Sequence, residues 1–483
     1  MNFSRILLIF RSTIETKISI VGIEICGLVA ILLVHLILLI NTRFTLWPEM
    51  VVYPYLLNNG FLLYRDIINP YPPLLSYALA IFARIFGYQP FPYQILTWGI
   101  ILITDLVIFI TGKKIFKKNS YAFISTLFFT ILSIPFSINV LWFDLIQTPI
   151  IVIAFYYFYK FFLYKKPNKA VLFFSIFFLT IAFFIKQQVL WLFLWFFIVS
   201  VIKFGKKVKN IFIENAYVLL PFAVLLILQV LFFWQKNLVE DFLFWVFYFP
   251  FFKASKMPGY ILLPTIRQFA VLIGLFLLFT PIIRRKFEIN LIVTCALTLI
   301  LFAYPRFDYF HLIPSIALLS IAFGPAVESY FKRAFFFKPL ILAALIYLSI
   351  FTVRYFINNW QAQVRFFEPE ILTAANFLRQ ITNENEPVYI QNGPDQLLPL
   401  SGRIPVKPWA DEFPWYLELQ GKQEKIVESL KEQNPRFVVY KPYDIGGRYD
   451  LGSYRPEKIA YYLDQNYQKS IQISDSLWLK IRK

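Results

Sequence analysis

Two cysteines and two histidines in 483 residues leave little for disulfide or metal chemistry to use. Cys26 and Cys295 both lie in long apolar runs and read as small packed side chains, so no disulfide framework or redox centre is expected. Glycine is scarce at 16 residues, which excludes collagen-like and glycine-rich low-complexity chains. Charge is scarce as well. Asp, Glu, Lys and Arg make up 16% of the chain against 59% apolar and 20% aromatic residues, a composition far from that of soluble domains. The chain therefore reads as a membrane protein. No metal-ligand spacing, glycine-rich phosphate loop or Walker lysine is present, and neither is a repeat of solenoid length.

The formal net charge of +19 has a location that decides its meaning. From residue 358 onward 16 basic and 16 acidic residues cancel, so the first 357 residues hold the whole excess, 31 basic against 12 acidic. That charge belongs to membrane loops rather than to a nucleic-acid surface, and no nucleic-acid partner is expected.

A membrane span needs about 20 apolar residues. Eleven such segments lie near 18–41, 92–112, 120–139, 144–164, 168–185, 189–203, 212–234, 262–283, 289–303, 307–323 and 338–357. The first is too long and too internal for a cleaved signal peptide. A twelfth stretch, 73–87, is short and carries Arg84. With eleven spans, the basic clusters around Lys113, Lys165, Lys206, Arg284 and Lys332 share a side with the N-terminus. That side holds 20 basic and 3 acidic groups against 8 and 6 on the other. The bias makes the N-terminus cytoplasmic, and a twelfth span would invert it, so 73–87 is laid along the outer surface. The expected protein is a mainly α-helical polytopic membrane protein with about 11 transmembrane helices. Residues 1–357 form the membrane domain, with outer loop 41–91 on the membrane surface. Residues 358–483 form a small extracytoplasmic α/β domain, because EILTAANFLRQI and RPEKIAYYLDQN have helical periodicity whereas PVYIQN, RFVVYK and SLWLKI read as strands.

Charged groups at the outer ends of spans are costly near lipid and mark candidate chemistry. They are Glu49 and Asp66 in the proline- and aromatic-rich first outer loop, Asp144 at the start of the fourth span, Lys186, and the run of Arg306, Asp308 and His311. A carboxylate in the first loop could deprotonate an incoming hydroxyl or amine. The blander alternatives are that Asp66 pairs with Arg65 or caps a turn, and that Glu49 begins a short helix after Pro48. Lys186 leaves a cation facing outward at headgroup depth, which a phosphate would satisfy, or else it snorkels at the boundary. Asp105 and Glu24 lie within spans, where proton-coupled transport would use them and hydrogen bonds to neighbouring helices would equally account for them. His35 reads as a packed side chain.

NGFLLYRDIINPYPPLLSYALAIFARIFG in the first outer loop, WFDLIQTP with Asp144, FIKQQ with Lys186, and RFDYFHLIPSIALL at the tenth span resemble the glycosyltransferase C superfamily. The similar branch is the one containing protein O-mannosyltransferases and the lipid A aminoarabinose transferase. The resemblance covers roughly residues 18–357, and the tail shares the family's habit of an outer α/β domain.

The resemblance implies a sugar donor on a polyprenyl phosphate and transfer on the outer face with inversion of the anomeric carbon. The family's catalytic carboxylate is the first acid after the first span, here Glu49, although the family usually has Asp and places it somewhat earlier relative to Gly60. Asp66 is the reserve for the base. Asp144 matches the second outer acid, which orients the acceptor or the first loop, while Lys186, Arg306 and His311 would hold the donor phosphate. No cofactor is implied, since the lipid-linked sugar is a substrate. The acceptor is a protein, lipid or glycan. The implied location is a bacterial plasma membrane. A multi-span transporter or lipid flippase is the alternative from another class, supported by Asp105 and Glu24 but without matching halves in the sequence.

Overall fold

The structure, a computed structural model, describes residues 3–163, 168–205, 219–257, 259–283, 287–333, 338–384, 386–443 and 454–483. The basic residues at 165–166, 206–209 and 284–286 and the start of the span expected at 212–234 lie outside the described residues.

A helix stands at each of the eleven expected spans, because long apolar runs in lipid must satisfy their backbone groups within the segment. These helices are α1 (Phe3–Asn41), α4 (Pro90–Phe116), α5 (Asn119–Leu132), α6 (Phe143–Leu163), α7 (Lys169–Ile185), α8 (Leu190–Phe204), α9 (Leu220–Gln235), α11 (Ile266–Leu277), α12 (Phe287–Leu299), α13 (Ile313–Arg333) and α14 (Lys338–Asn359). Among the described residues, six apolar segments are long enough to cross a membrane by length and composition: those of α1, α4, α6, α8, α13 and α14, the segments of α8 and α13 lengthened by the 3-10 turns that precede them. Leu74–Phe86, the twelfth stretch, forms a 13-residue helix, too short for a full span, and packs against the first outer loop. Burial ranks the long helices. The apolar window of α13 is 89% buried and that of α6 67%, whereas α1 and α14 bury 11% and 17%, so the first pair forms the centre of the bundle and the second its lipid-facing rim. Among the described glycines the closest approach is at Gly324 of α13, where an added Cβ would stand 2.6 Å from the Tyr121 Cα on α5. Small residues of this kind let helices in lipid approach closely.

The first outer loop is folded, as its prolines suggest. It contains a two-residue strand β1 (Thr45–Leu46), α2 (Glu49–Asn58) and α3 (Leu74–Phe86). Gly60 takes φ +78° just past α2, where a side chain would be strained. The second outer segment holds α10 (Val239–Leu243) and a π-helix at Phe244–Lys253 that includes Pro250.

The tail carries a four-stranded sheet in the order β3-β4-β6-β5. Val388–Gln391 (β3) pairs parallel with Phe437–Tyr440 (β4), and the pairs with Trp478–Arg482 (β6) are antiparallel. The three expected strands and two expected helices, now Pro369–Ile381 (α15) and Glu457–Asn466 (α19), are present. The edge strand Tyr467–Gln472 (β5) and the helices Leu397–Ser401 (α16), Pro414–Leu417 (α17) and Lys422–Gln433 (α18) are additional. One apolar core runs from the first outer loop into the tail. Val51, Leu56 and Ile67 share it with Trp409, Trp415, Leu397 and Val439.

Candidate active site

β1 pairs parallel with β2 (Val140–Leu141), Thr45 opposite Val140 and Leu46 opposite Leu141. The two segments read TLWPE and VLWFD, and in this register Glu49 corresponds to Asp144. Each acid sits in the first turn of the helix that follows its strand, α2 or α6. Asn139 clamps the junction, its amide donating to the carbonyls of Leu39 and Thr42 at 2.9 and 3.1 Å. Trp47 and Trp142 pack with ring centroids 5.6 Å apart, and both lie against Phe310, the neighbour of His311.

Asp144 is fully buried and holds two partners on one oxygen. Lys186 Nζ donates to Oδ2 at 2.7 Å, and His311 Nδ1 lies 2.8 Å from the same atom. Lys186 Nζ and His311 Nδ1 are 3.3 Å apart. Lys186 is 2% exposed, so the expectation of a cation facing outward, snorkelling or not, gives way to a buried ion pair. Its position follows from the break between α7 and α8. Gln147 donates to the carbonyls of Ala182 and Lys186 at 2.7 and 3.0 Å, and Gln187 donates to Pro70 O at 2.8 Å, which fastens the first outer loop over the group. Asp144 Oδ1 is buried with no hydrogen-bond partner among the described residues. Such an atom marks a place where a donor is missing.

Glu49 presents the same feature, since its Oε2 is buried without a partner among the described residues. Burial, and then the nearby Asp411 carboxylate, push its pKa up to about 8. Tyr53, one turn along α2, donates its hydroxyl to Asp411 Oδ2 at 3.3 Å. Burial chiefly holds the Tyr71 hydroxyl well above its ordinary range, with Tyr260, Glu49 and Asp144 adding to the shift and Arg306 opposing it. Its ring packs on Phe143 at 4.2 Å and stands 6.0 Å from Lys186 Nζ.

Arg306 is held at the edge of this group. Its guanidinium donates to Gly259 O at 3.1 Å and lies 4.2 Å from the Trp415 ring, close enough to Tyr71 and Tyr260 to act on both. Asp308 caps the turn before α13, accepting from Tyr309 N at 2.6 Å. Asp66 turns back into its own loop and accepts from Leu62 N at 2.9 Å, while Arg65 pairs with Asp241 at 3.5 Å rather than with Asp66. The acids within the bundle are engaged with neighbouring helices. Asp105 of α4 lies 2.6 Å from His35 of α1 with both fully buried, and Glu24 is paired with Lys113 and accepts from Asn119.

The structure thus brings Glu49, Asp144, Lys186 and His311 to one end of the bundle, with Arg306 at its rim and Asp66 in the loop wall. The residues that sequence reasoning passed over are Asp411, Tyr53 and Tyr71. For the two acids a signal existed in the near-repeat of LWPE and LWFD. For Asp411, in PWADEFPWY, no spacing links it to Glu49. Among the described residues no group of three or more His, Cys, Asp or Glu side chains is placed to hold a metal ion. A partly buried carboxylate of raised pKa beside a buried carboxylate, amine and imidazole can take a proton and balance negative charge at two neighbouring points.

No protein-family model matches the sequence, and no curated protein sequence matches it. Solved structures do share its fold. ArnT from Cupriavidus metallidurans bound to undecaprenyl phosphate superposes with a TM-score of 0.61 at 11% identity, covering 95% of this chain and 98% of that one. The archaeal oligosaccharyltransferase AglB from Archaeoglobus fulgidus, in complex with an inhibitory peptide and a dolichol-phosphate, superposes with a TM-score of 0.54 at 12% identity. That match covers 86% of this chain and 69% of AglB. The chain therefore has an ArnT-like polytopic membrane fold, in agreement with the superfamily resemblance in its sequence.

Proposed function

We propose that this protein is a membrane glycosyltransferase that moves a sugar from a polyprenyl-phosphate donor to a protein, lipid or glycan acceptor. Transfer takes place on the outer face of the membrane, with inversion. The fold shared with proteins solved with undecaprenyl phosphate and dolichol-phosphate supports the class. The observation that carries the reading is the matched pair of strand–helix turns, which presents oxygens of Glu49 and Asp144 that have no hydrogen-bond partner among the described residues, at one site beside Lys186 and His311.

In this reading Glu49 takes the proton of the acceptor hydroxyl or amine as that atom bonds to the anomeric carbon. The bond from the anomeric carbon to the phosphate oxygen breaks, and its electrons stay with the departing polyprenyl phosphate. Lys186, His311 and Arg306 offset the charge that develops there, in a site where water is scarce and each interaction counts for more. Asp144 holds the amine and the imidazole in place between turnovers and orients the acceptor. Asp66 shapes the loop and is the second candidate for the base. The N-terminus is cytoplasmic, and the tail lies outside a bacterial plasma membrane.

The test is transfer itself. Protein in lipid nanodiscs, given a polyprenyl-phosphate sugar labelled in the sugar and an extract of envelope acceptors, should move label from lipid to acceptor. Glu49→Gln should bind donor normally and lose transfer. Label that stays on the lipid across donor sugars and acceptor fractions, with donor bound, would overturn the reading.

A further inference from the structure

The tail is stitched to the first outer loop at one segment. Trp409 N donates to Asp66 O at 2.7 Å, Ile67 and Trp409 form a parallel bridge, and the Tyr53 and Trp409 rings meet edge-on at 5.8 Å. Two residues further on, Asp411 is only 7% exposed and accepts from the Tyr53 hydroxyl at 3.3 Å. Tyr53 and Glu49 are four residues apart on α2 and so share a face, their Cβ atoms separated by roughly 5–6 Å in an ordinary helix. The stitch thereby fixes a carboxyl of the tail on the face of α2 that carries the partnerless Glu49 oxygen. A second aromatic layer keeps this segment in place: Trp415 and Tyr416 pack on Tyr260, Trp245 and Phe249 of the second outer segment.

We infer that Asp411 is a positioning residue of the transfer site, a tail-domain carboxyl that shares negative charge with Glu49 and sets the basicity of the base from outside the membrane domain. The inference rests on Glu49 being the base. Two carboxylates in one poorly hydrated site resist joint ionisation, so the pair loses its last proton at a higher pH than either acid would alone. The direction agrees with the groups that surround the two acids. Asp411 acts to raise Glu49; burial, and then the Asp395 carboxyl hydrogen-bonded to it, hold Asp411 itself well above the ordinary carboxylate range, so the last proton is shared within this group, and Tyr53, Tyr71 and Tyr416 are the other titratable groups facing it from α2, the loop and the tail. A base that strong takes a proton from a hydroxyl more readily than an ordinary carboxylate does, and its strength depends on the tail being docked. The tail domain is then part of the catalytic chemistry and not only a lid or an acceptor platform.

The experiment is the pH profile of kcat/KM for the full chain in nanodiscs with labelled polyprenyl-phosphate sugar. Asp411→Asn keeps the shape and removes the charge. The acid limb of its profile should move down by about one pH unit, with slower transfer at high pH because the base is weaker. Asp411→Glu should return the limb towards the wild-type position. Tyr53→Phe keeps the ring against Trp409 and withdraws a donor from ionised Asp411, so its limb should move in the same direction by less. It also carries the test if Asp411→Asn does not fold. An acid limb at the wild-type pH in Asp411→Asn, or in Tyr53→Phe where only that variant folds, overturns the inference. Loss of transfer in Glu49→Gln alongside an unmoved limb would reject Asp411 alone, whereas full transfer in Glu49→Gln would reject the base itself.

Discussion

Glu49 and Lys186 show how much a single side chain's meaning depends on neighbours that lie far away in sequence. A base of raised pKa is charged and able to accept a proton only above that pKa, so transfer by the wild type should climb with pH through about 8. Glu49→Gln should retain donor affinity and slow the chemical step about a hundredfold or more. Asp66→Asn should do much less, because an amide oxygen can still accept from Leu62 N. A single-turnover measurement in which Asp66→Asn is dead with donor bound, and Glu49→Gln is active, would exchange their roles. Lys186 behaves differently from a surface lysine. Lys186→Met leaves Asp144 buried without its cation, and breaking a buried pair from one side costs about 3–5 kcal/mol. Thermal unfolding in detergent should show that loss, with Asp144→Asn in the same chain recovering part of it. An unchanged midpoint for Lys186→Met would mean that the pair does not support the fold.

The elements were legible to different degrees, and the reason is periodicity. Long apolar helices declare themselves by length, so a helix stands at each expected span, whereas the short helix at Leu74–Phe86 was ambiguous by length and was set apart by the basic-residue bias, which a twelfth span would invert. The site acids could be picked out because charge at the end of an apolar run is conspicuous. Their grouping left only the near-repeat of LWPE and LWFD as a trace, because it depends on a two-residue parallel pairing between Thr45–Leu46 and Val140–Leu141, too short for any strand pattern to reveal. The pairing of Asp105 with His35 is of the same kind, since two isolated buried polar residues on α1 and α4 become partners only when the helices pack. Gly324 was silent for a similar reason, being one small residue in an apolar helix. Its contact sets how closely α5 and α13 approach, and Gly324→Ala should push the helices apart and destabilise the bundle by about 1–3 kcal/mol, as overpacking does. A melting temperature equal to the wild type would show that the backbones move aside at no cost.

At the scale of the whole molecule, the account needs the first outer loop, the second outer segment and the tail on one side of the membrane. The shared core that joins Val51 and Ile67 to Trp409 and Val439 requires it, and in the proposed orientation, argued from the basic-residue bias, that side is the exterior. A reporter fused after Lys483 should report an extracytoplasmic location, and one in the GKKIFKKN loop a cytoplasmic one. The same arrangement gives the most direct test of the central claim, in sealed proteoliposomes. Labelled polyprenyl-phosphate sugar is supplied in the outer leaflet, acceptor is supplied outside, and only the molecules whose tail faces outward are counted. Label should appear on the acceptor outside the vesicle, at a rate that Glu49→Gln reduces about a hundredfold or more. Labelled lipid that reaches the inner leaflet with its sugar still attached, and no label on the acceptor, would contradict it.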